Sequence, residues 1–235
     1  MLWTEKYRPT KLMHVVGQPN FVLDAEHWVT NQEMPNVLLY GVAGVGKTAA
    51  ALSLANDMLG DDVKANFFEI NASDDRKLET VRTRIKEIAS TSKIGEAPFK
   101  IILLDEMDGM TRDAQNALKR IMERYADNCR FIITCNDRHK IIHPLISRCA
   151  NYSFKRLNND AIRNVIFDVL EKERVTHISE DDLEIFIGSL HGDLRRGLTE
   201  LQAAVSSKSS LLNMIDKQLM PYTELLELVN NNEYT

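Results

Sequence analysis

Three glycines, a lysine and a threonine are spaced for phosphate binding in the segment Gly41-Val-Ala-Gly-Val-Gly-Lys-Thr48. The segment matches the pattern G-x-x-x-x-G-K-[ST], in which glycines let backbone N–H groups turn towards a phosphate. An apolar run, Val37–Tyr40, precedes it, and an alanine- and leucine-rich run follows it. A strand, a glycine turn and a helix in this order place the positive end of the helix at the anion. The sequence therefore predicts a nucleotide-binding site rather than a chance glycine-rich turn.

The lysine and the threonine have separate tasks in this interpretation. We expect Lys47 to reach the β- and γ-phosphates of ATP, and the Thr48 hydroxyl to bind Mg²⁺. The predicted nucleotide contacts in this segment are Gly41, Gly44, Val45, Gly46, Lys47, Thr48 and Ala49.

Two carboxylates follow a later apolar run, in Phe99-Lys-Ile-Ile-Leu-Leu-Asp105-Glu106. Such a run is typical of a central parallel strand, whose carboxyl end lies at the ligand-binding edge of an open α/β sheet. Asp105 suits the magnesium shell beside Thr48. Glu106 suits a general base that positions water at the γ-phosphate.

A polar amide ends the next buried run, Arg130–Cys135. Asn136 at this position is suited to orient the attacking water, but asparagine at a strand end is also a common turn former.

A third group of residues is basic. The helix predicted to end near Ala89 carries five basic residues against one acidic residue between positions 76 and 86, in a chain of net charge −5. The basic residues are Arg76, Lys77, Arg82, Arg84 and Lys86. Contact with nucleic-acid phosphates and an ordinary solvated helix face both remain open on this evidence.

Composition sets the class of protein. The 235 residues are 44% hydrophobic and 27% charged, as in a globular soluble protein. No apolar run approaches the length of a membrane span, the N-terminus lacks the apolar block of a signal peptide, and the three cysteines lack metal-ligand spacing. We therefore expect reduced thiols, no metal bound by histidine or cysteine, no membrane, and a cytoplasmic protein (nuclear if eukaryotic).

The pattern changes along the chain. Alternating strands and helices predict an α/β parallel-sheet core over residues 1–156, and three helices from Asn158 predict a small helical domain over 157–212. Residues 213–235 are expected to form a tail or the start of another helix. Near the N-terminus, Tyr7 and Arg8 are suited to flank an adenine ring, or else belong to an arm packed on the core.

Taken together, the motifs resemble those of the replication factor C small subunits, which are AAA+ ATPases of sliding-clamp loaders, and the archaeal form most of all. The resemblance covers about residues 1–215 and includes Trp-Thr-Glu-Lys-Tyr-Arg-Pro at 3–9, Val-Val-Gly-Gln at 15–18, Asn-Ala-Ser-Asp-Asp-Arg at 71–76, Leu-Leu-Asp-Glu-Met-Asp at 103–108, Asp-Ala-Gln-Asn-Ala-Leu at 113–118, Ser-Arg-Cys at 147–149 and Gly-Asp-Leu-Arg-Arg at 192–196.

The resemblance implies roles that spacing alone does not show. It implies a RecA-like core with a three-helix lid, Asn136 as sensor 1, Arg195 as sensor 2, and Arg148 as an arginine finger that acts on the ATP of a neighbouring subunit. Adenine would lie near Tyr7, Arg8, Val15 and Val16. Duplex phosphates would contact Arg76, Arg82 and Lys86, and the partners would be a sliding clamp, primer–template DNA and other subunits of a ring-like pentamer.

Two departures from the family pattern stand out. The loop reads Gly-Val-Ala-Gly where the family usually has Gly-Pro-Pro-Gly, so we expect nucleotide binding with a less rigid loop. Tyr222–Val229 resembles the beginning of the family's collar domain, so most of the collar is expected to be missing from this chain. Another DNA-remodelling AAA+ motor and an ATP-binding subunit without hydrolysis are the alternatives, whereas a guanine-reading Asn-Lys-x-Asp motif does not occur.

Overall fold

A parallel five-stranded sheet forms the centre of the first of two compact units, Pro9–Lys155. The second unit joins Met1–Arg8 to the described residues from Arg156 onward. The structure, a computed structural model, describes residues 1–72, 78–207 and 211, with only the backbone for residues 78–82.

The sheet has the strand order β2-β3-β4-β1-β5, and every neighbouring pair is parallel. This confirms the predicted parallel α/β core. The strands are β1 (Asn36–Tyr40), β2 (Phe67–Asn71), β3 (Lys100–Asp105), β4 (Cys129–Cys135) and β5 (Cys149–Ser153).

Helices connect the strands and build the second unit. They are α1 (Trp3–Lys6), α2 (Pro19–Asn31), α3 (Lys47–Leu59), α4 (Val63–Asn66), α5 (Leu78–Ser90), α6 (Arg112–Arg124), α7 (His143–Ile146), α8 (Asn159–Lys172), α9 (Glu180–Ser189) and α10 (Leu194–Ser207). Side chains of Thr111, Asn158 and Ser179 accept hydrogen bonds from the first turns of α6, α8 and α9, so these helices begin at capping residues.

The sheet is buried on both faces, as its continuous apolar strands predict. Side chains alternate along each strand, so Val37 and Leu39 pack with α2 and α3 while Leu38 packs on the opposite face with α5 and α6. Parallel register aligns the carboxyl ends of the strands, with Asn71 opposite Asp105. The polar residues at the strand ends are thereby brought to one edge of the sheet.

The second unit contains the three predicted helices α8, α9 and α10. It also contains the first eight residues, which the sequence interpretation assigns to the core. The reason is packing: Trp3 is buried, its backbone N–H donates to Gln202 of α10, and the Tyr7 hydroxyl donates to Glu173 at the end of α8. The amino-acid pattern of α1 contains no signal for this long-range pairing.

Replacement of Trp3 by alanine is expected to destabilise the second unit by about 3–5 kcal/mol, because it removes a buried aromatic side chain and leaves a cavity. Urea unfolding followed by far-UV circular dichroism would measure the loss. Leu2→Ala is the matched control, since Leu2 is 64% exposed while Trp3 is 6% exposed. Equal midpoints for the two variants would contradict the packing role of Trp3.

Candidate nucleotide-binding and hydrolysis site

The turn between β1 and α3 carries the predicted phosphate-binding glycines. Gly41, Gly44 and Gly46 adopt positive φ angles of 151°, 80° and 91°. A Cβ added at Gly41 would lie 2.2 Å from the carbonyl oxygen of Phe154, so both the backbone angle and the available space require glycine there. Because α3 begins at Lys47, directly after the turn, its first N–H groups lie at the loop and favour an anion.

The Lys47 side chain is buried beneath this loop. Its Nζ donates to the carbonyl oxygens of Gly41 and Val42 at 2.7 and 2.8 Å, and to Oδ1 of Asn136 at 2.9 Å. The contact with Asn136 brings the loop and the end of β4 together. The lysine predicted to bind the phosphates and the amide predicted to orient the attacking water therefore touch each other directly.

The Asp105 carboxylate, at the end of β3, receives hydrogen bonds from two threonines. The Thr48 hydroxyl lies 3.2 and 3.1 Å from its two oxygens, and the Thr134 hydroxyl of β4 donates to Oδ1. The sequence analysis did not identify Thr134 as a site residue. A buried polar residue near the end of an otherwise apolar strand was the available signal.

Glu106 follows directly and has a left-handed backbone with a φ of 55°. Such a conformation is uncommon outside glycine and occurs often at functional sites. Its backbone N–H donates to the Thr134 hydroxyl at 3.2 Å, and the Asn71 amide at the end of β2 donates to its Oε2 at 3.3 Å. The Glu106 side chain is therefore directed by a neighbouring strand, and Asn71 is a second site residue that the sequence analysis did not assign.

Asn136 is exposed at the edge of the sheet, directly after β4. Its backbone N–H lies 3.4 Å from Oδ1 of Asp108, and its side chain contacts Lys47 as described above. The amide, the Lys47 ammonium and the acidic end of β3 therefore surround one region at the carboxyl edge. That a nucleotide's terminal phosphate and a water molecule bind in this region stays a prediction.

Magnesium fits the oxygen atoms gathered here. Thr48 and Asp105 supply one hydroxyl and two carboxylate oxygens, which are the hard ligands that Mg²⁺ prefers. Magnesium is usually held by one or two such protein oxygens together with phosphates of the nucleotide. The described part of the chain contains no cluster of three His, Cys, Asp or Glu side chains arranged for a metal.

The predicted arginine finger lies elsewhere in the first unit. Arg148 is exposed between α7 and β5, and its guanidinium forms an ion pair with Glu123 of α6. The structure thus does not bring Arg148 together with its own chain's Lys47, Asp105 and Glu106 through any described contact. A role in trans stays a prediction.

The remaining predicted residues are distributed over both units. Tyr7, Arg8 and Arg195 belong to the second unit, where Arg195 is exposed near the start of α10. Val15 and Val16 are half-buried in the first unit. Their predicted contacts with adenine and γ-phosphate stay predictions.

The predicted DNA-binding helix corresponds to α5. Lys86 is exposed on it. Arg76 and the Arg82 side chain lie outside the described residues.

The three cysteines are free thiols. Burial raises the pKa of Cys129 to about 11 and that of Cys135 and Cys149 to about 12. These thiols are therefore protonated at neutral pH and poor nucleophiles. Within the described ranges, no helix is both long and apolar enough to cross a bilayer.

Comparison with known proteins agrees with this geometry. Residues 37–157 match the family model described as "ATPase family associated with various cellular activities (AAA)". The chain is 46% identical over 204 residues to the replication factor C small subunit of Methanosarcina barkeri, covering 86% of this chain and 61% of the relative. It is 43% identical over 213 residues to that of Methanococcus maripaludis, covering 91% and 67%. It is 46% identical over 205 residues to that of Archaeoglobus fulgidus, covering 87% and 64%.

Solved structures with the same fold include the RuvB Holliday junction branch migration motor of Thermotoga maritima. The TM-score is 0.71 at 16% identity, over 89% of this chain and 72% of the other, so this likeness concerns the fold alone. The curated relatives are longer than this chain, which spans 61–67% of the three described above. With a matched family model over its sheet and close relatives over most of its length, the chain belongs to the AAA ATPase family and, within it, to the replication factor C small subunits.

Proposed function

We propose that this chain is an ATP-hydrolysing subunit of a clamp loader, which opens a sliding clamp and loads it onto primer–template DNA during replication. The observation that carries the enzymatic part is the meeting of Lys47, Thr48 and Asp105 with Glu106 and Asn136 at one edge of the sheet. Phosphoryl transfer depends mainly on positioning and on electrostatic stabilisation, and these residues supply both. The relationship to replication factor C small subunits supports the clamp-loading part.

The residues would act in the following way. Lys47 would exchange its bonds to the loop carbonyls for bonds to the β- and γ-phosphates, because a charged phosphate is a stronger acceptor than a neutral carbonyl. Magnesium, held by Thr48 and Asp105, would neutralise charge on the phosphates. Glu106 would accept a proton from the attacking water while Asn136 orients that water.

Asn71 would orient the carboxylate of Glu106, the general base. The hydrogen bond from its side-chain amide to Oε2 of Glu106 would restrain the direction in which the carboxylate faces the attacking water. The bond is 3.3 Å long and involves exposed side chains, so it limits motion without locking the carboxylate.

The remaining predicted residues would connect this site to its partners. Tyr7, Arg8, Val15 and Val16 would enclose adenine, and Arg195 would reach the γ-phosphate of the chain's own ATP. Arg148 would act on the ATP of a neighbouring subunit, and Arg76, Arg82 and Lys86 would contact DNA phosphates. ATP would then stabilise the assembled, clamp-gripping state by its higher affinity for that state.

Replacement of Lys47 by alanine is expected to weaken ATP binding about 10- to 150-fold, the range for losing a hydrogen bond to a charged group. Titration calorimetry with Mg·ATP would measure the change. Lys64→Ala, which removes an exposed lysine of the same unit, is the control and should bind ATP as the original chain does. Unchanged affinity in the Lys47 variant would contradict the phosphate-binding role.

Glu106→Gln is expected to lower the turnover of ATP by about 100-fold or more while ATP still binds, because the amide cannot accept the proton from water. Steady-state phosphate release and nucleotide affinity would be measured together. Glu69→Gln, at an exposed position of β2, is the control. Turnover by Glu106→Gln at the rate of the control would contradict the role of Glu106 as the general base, whereas negligible turnover by the original chain and both variants would favour an ATP-binding subunit that does not hydrolyse.

Primer–template DNA and a cognate clamp are expected to raise the ATPase rate, and Arg148→Ala to lower the stimulated rate by about 1000-fold or more while ATP binding is retained. Arg163→Ala is the matched control, because Arg163 is another partly exposed arginine, with a side-chain exposure of 37% against 35% for Arg148, and it is paired with a glutamate, Glu184. Stimulation by DNA alone, with no response to the clamp, would instead indicate another DNA-remodelling motor of the AAA family.

A further inference from the structure

Arg148 is held by contacts from two other segments of the first unit. Its Nε and Nη2 donate to Oε1 of Glu123 at 2.9 and 2.5 Å, and its Nη1 donates to the carbonyl oxygen of Pro144 at 2.7 Å. Glu123 lies in the last turn of α6, and Pro144 lies in α7. The guanidinium is therefore fixed from both sides although it is exposed.

The pattern of these bonds leaves a defined part of the guanidinium for another ligand. A guanidinium has five N–H donors in one plane, and the three bonds use one donor on each nitrogen. One N–H on Nη1 and one on Nη2 remain after these bonds. Two N–H groups on the terminal nitrogens suit two-point contact with a phosphate.

The ion pair between Arg148 and Glu123 has little effect on the stability of the fold. The side chains of Arg148 and Glu123 are 35% and 46% exposed, and an ion pair so exposed contributes little to the free energy of unfolding. Its larger effect is to restrict the rotamers of the Arg148 side chain. An arginine that moves freely loses considerable rotamer entropy when it binds an anion, and an arginine that is already ordered loses less.

We propose that Glu123 is a positioning residue for Arg148. By binding the Nε and Nη2 side of the guanidinium, it orders the side chain before a neighbouring subunit arrives and leaves the terminal N–H groups directed at that neighbour's ATP. The proposal rests on the proposed function, since it takes Arg148 to act in trans. An incoming phosphate does not need to displace Glu123, because the two anions use different N–H groups.

A mixture of two inactive chains tests this in assembled protein. The acceptor chain carries Arg148→Ala, so it binds ATP but offers no finger. The donor chain carries Glu106→Gln, so it offers a finger but cannot hydrolyse its own ATP. Mixed with DNA and clamp, the two are expected to restore hydrolysis in the acceptor.

Adding Glu123→Ala to the donor is expected to lower the restored kcat, by at most about 30-fold, the equivalent of an arginine's rotamer entropy, with the KM for ATP unchanged. The same change in the acceptor should have no effect, since its finger is already absent. Glu123→Gln in the donor should recover part of the rate, because its amide oxygen still accepts a hydrogen bond. Glu184→Gln in the donor is the control, because it weakens the Arg163–Glu184 pair, whose side chains are 37% and 46% exposed.

The outcomes separate the two proposals. Absence of restored hydrolysis with the unaltered donor would overturn the action in trans, and the positioning role with it. Restored hydrolysis that is equal or faster with Glu123→Ala in the donor would leave the finger in place and overturn the positioning role of Glu123.

A second measurement uses the isolated chain and needs no assembly. The Nε–H group of Arg148 is expected to give an ordered NMR signal that becomes mobile in Glu123→Ala and is unchanged in Glu184→Gln. A mobile Nε–H group in the original chain would overturn the proposal.

Discussion

The hydrogen bonds that two threonines donate to the Asp105 carboxylate join the parts on which the site depends. Thr48 belongs to the helix after the glycine turn, Asp105 to the central strand, and Thr134 to the next strand. Thr134 also accepts the backbone N–H of Glu106. A single carboxylate thus aligns the helix after the glycine turn with the ends of two neighbouring strands, and through Thr134 with the backbone of Glu106. Charge-assisted hydrogen bonds are among the strongest available for this alignment.

Parallel strand register makes this cluster possible. All five strands point the same way, so their carboxyl ends meet at one edge, as in other open α/β sheets. The apolar strands hold that edge rigidly because helices cover both faces of the sheet. The polar residues there occupy positions where the strand has ended and side chains can face a ligand. The same edge therefore combines a rigid support with accessible chemistry.

The boundary between predictable and unpredictable features follows the range of the interactions. The glycine turn before α3, the Asp105–Glu106 pair and the three helices of the second unit, α8, α9 and α10, have local signals: glycine spacing, apolar runs and capping residues. The parallel sheet follows from alternation of such runs with helices, and the family membership follows from motif content. Glu123 has no comparable signal, and Thr134 (a polar residue near the end of an apolar strand) and Asn71 (the first residue of a quoted motif) have only weak ones, since each contacts a partner distant in the chain. For the same reason Trp3 and Tyr7 were assigned to the core by position, whereas their contacts lie with α10 and α8.

The sequence by itself determined the element types, their order, the fold class and the residues that have the chemistry for ATP. Helical and extended periodicities are local, and glycine permits the positive φ angles of the turn before Lys47 wherever that segment lies in the fold. Tertiary structure alone decided which carboxylate oxygen meets which hydroxyl, which strand directs Glu106, and which glutamate orders Arg148. These contacts depend on strand order, register and helix packing, which bring together residues from separate parts of the chain. A sequence pattern specifies the groups available for a site, and the close packing of the folded chain selects the pairs that form it.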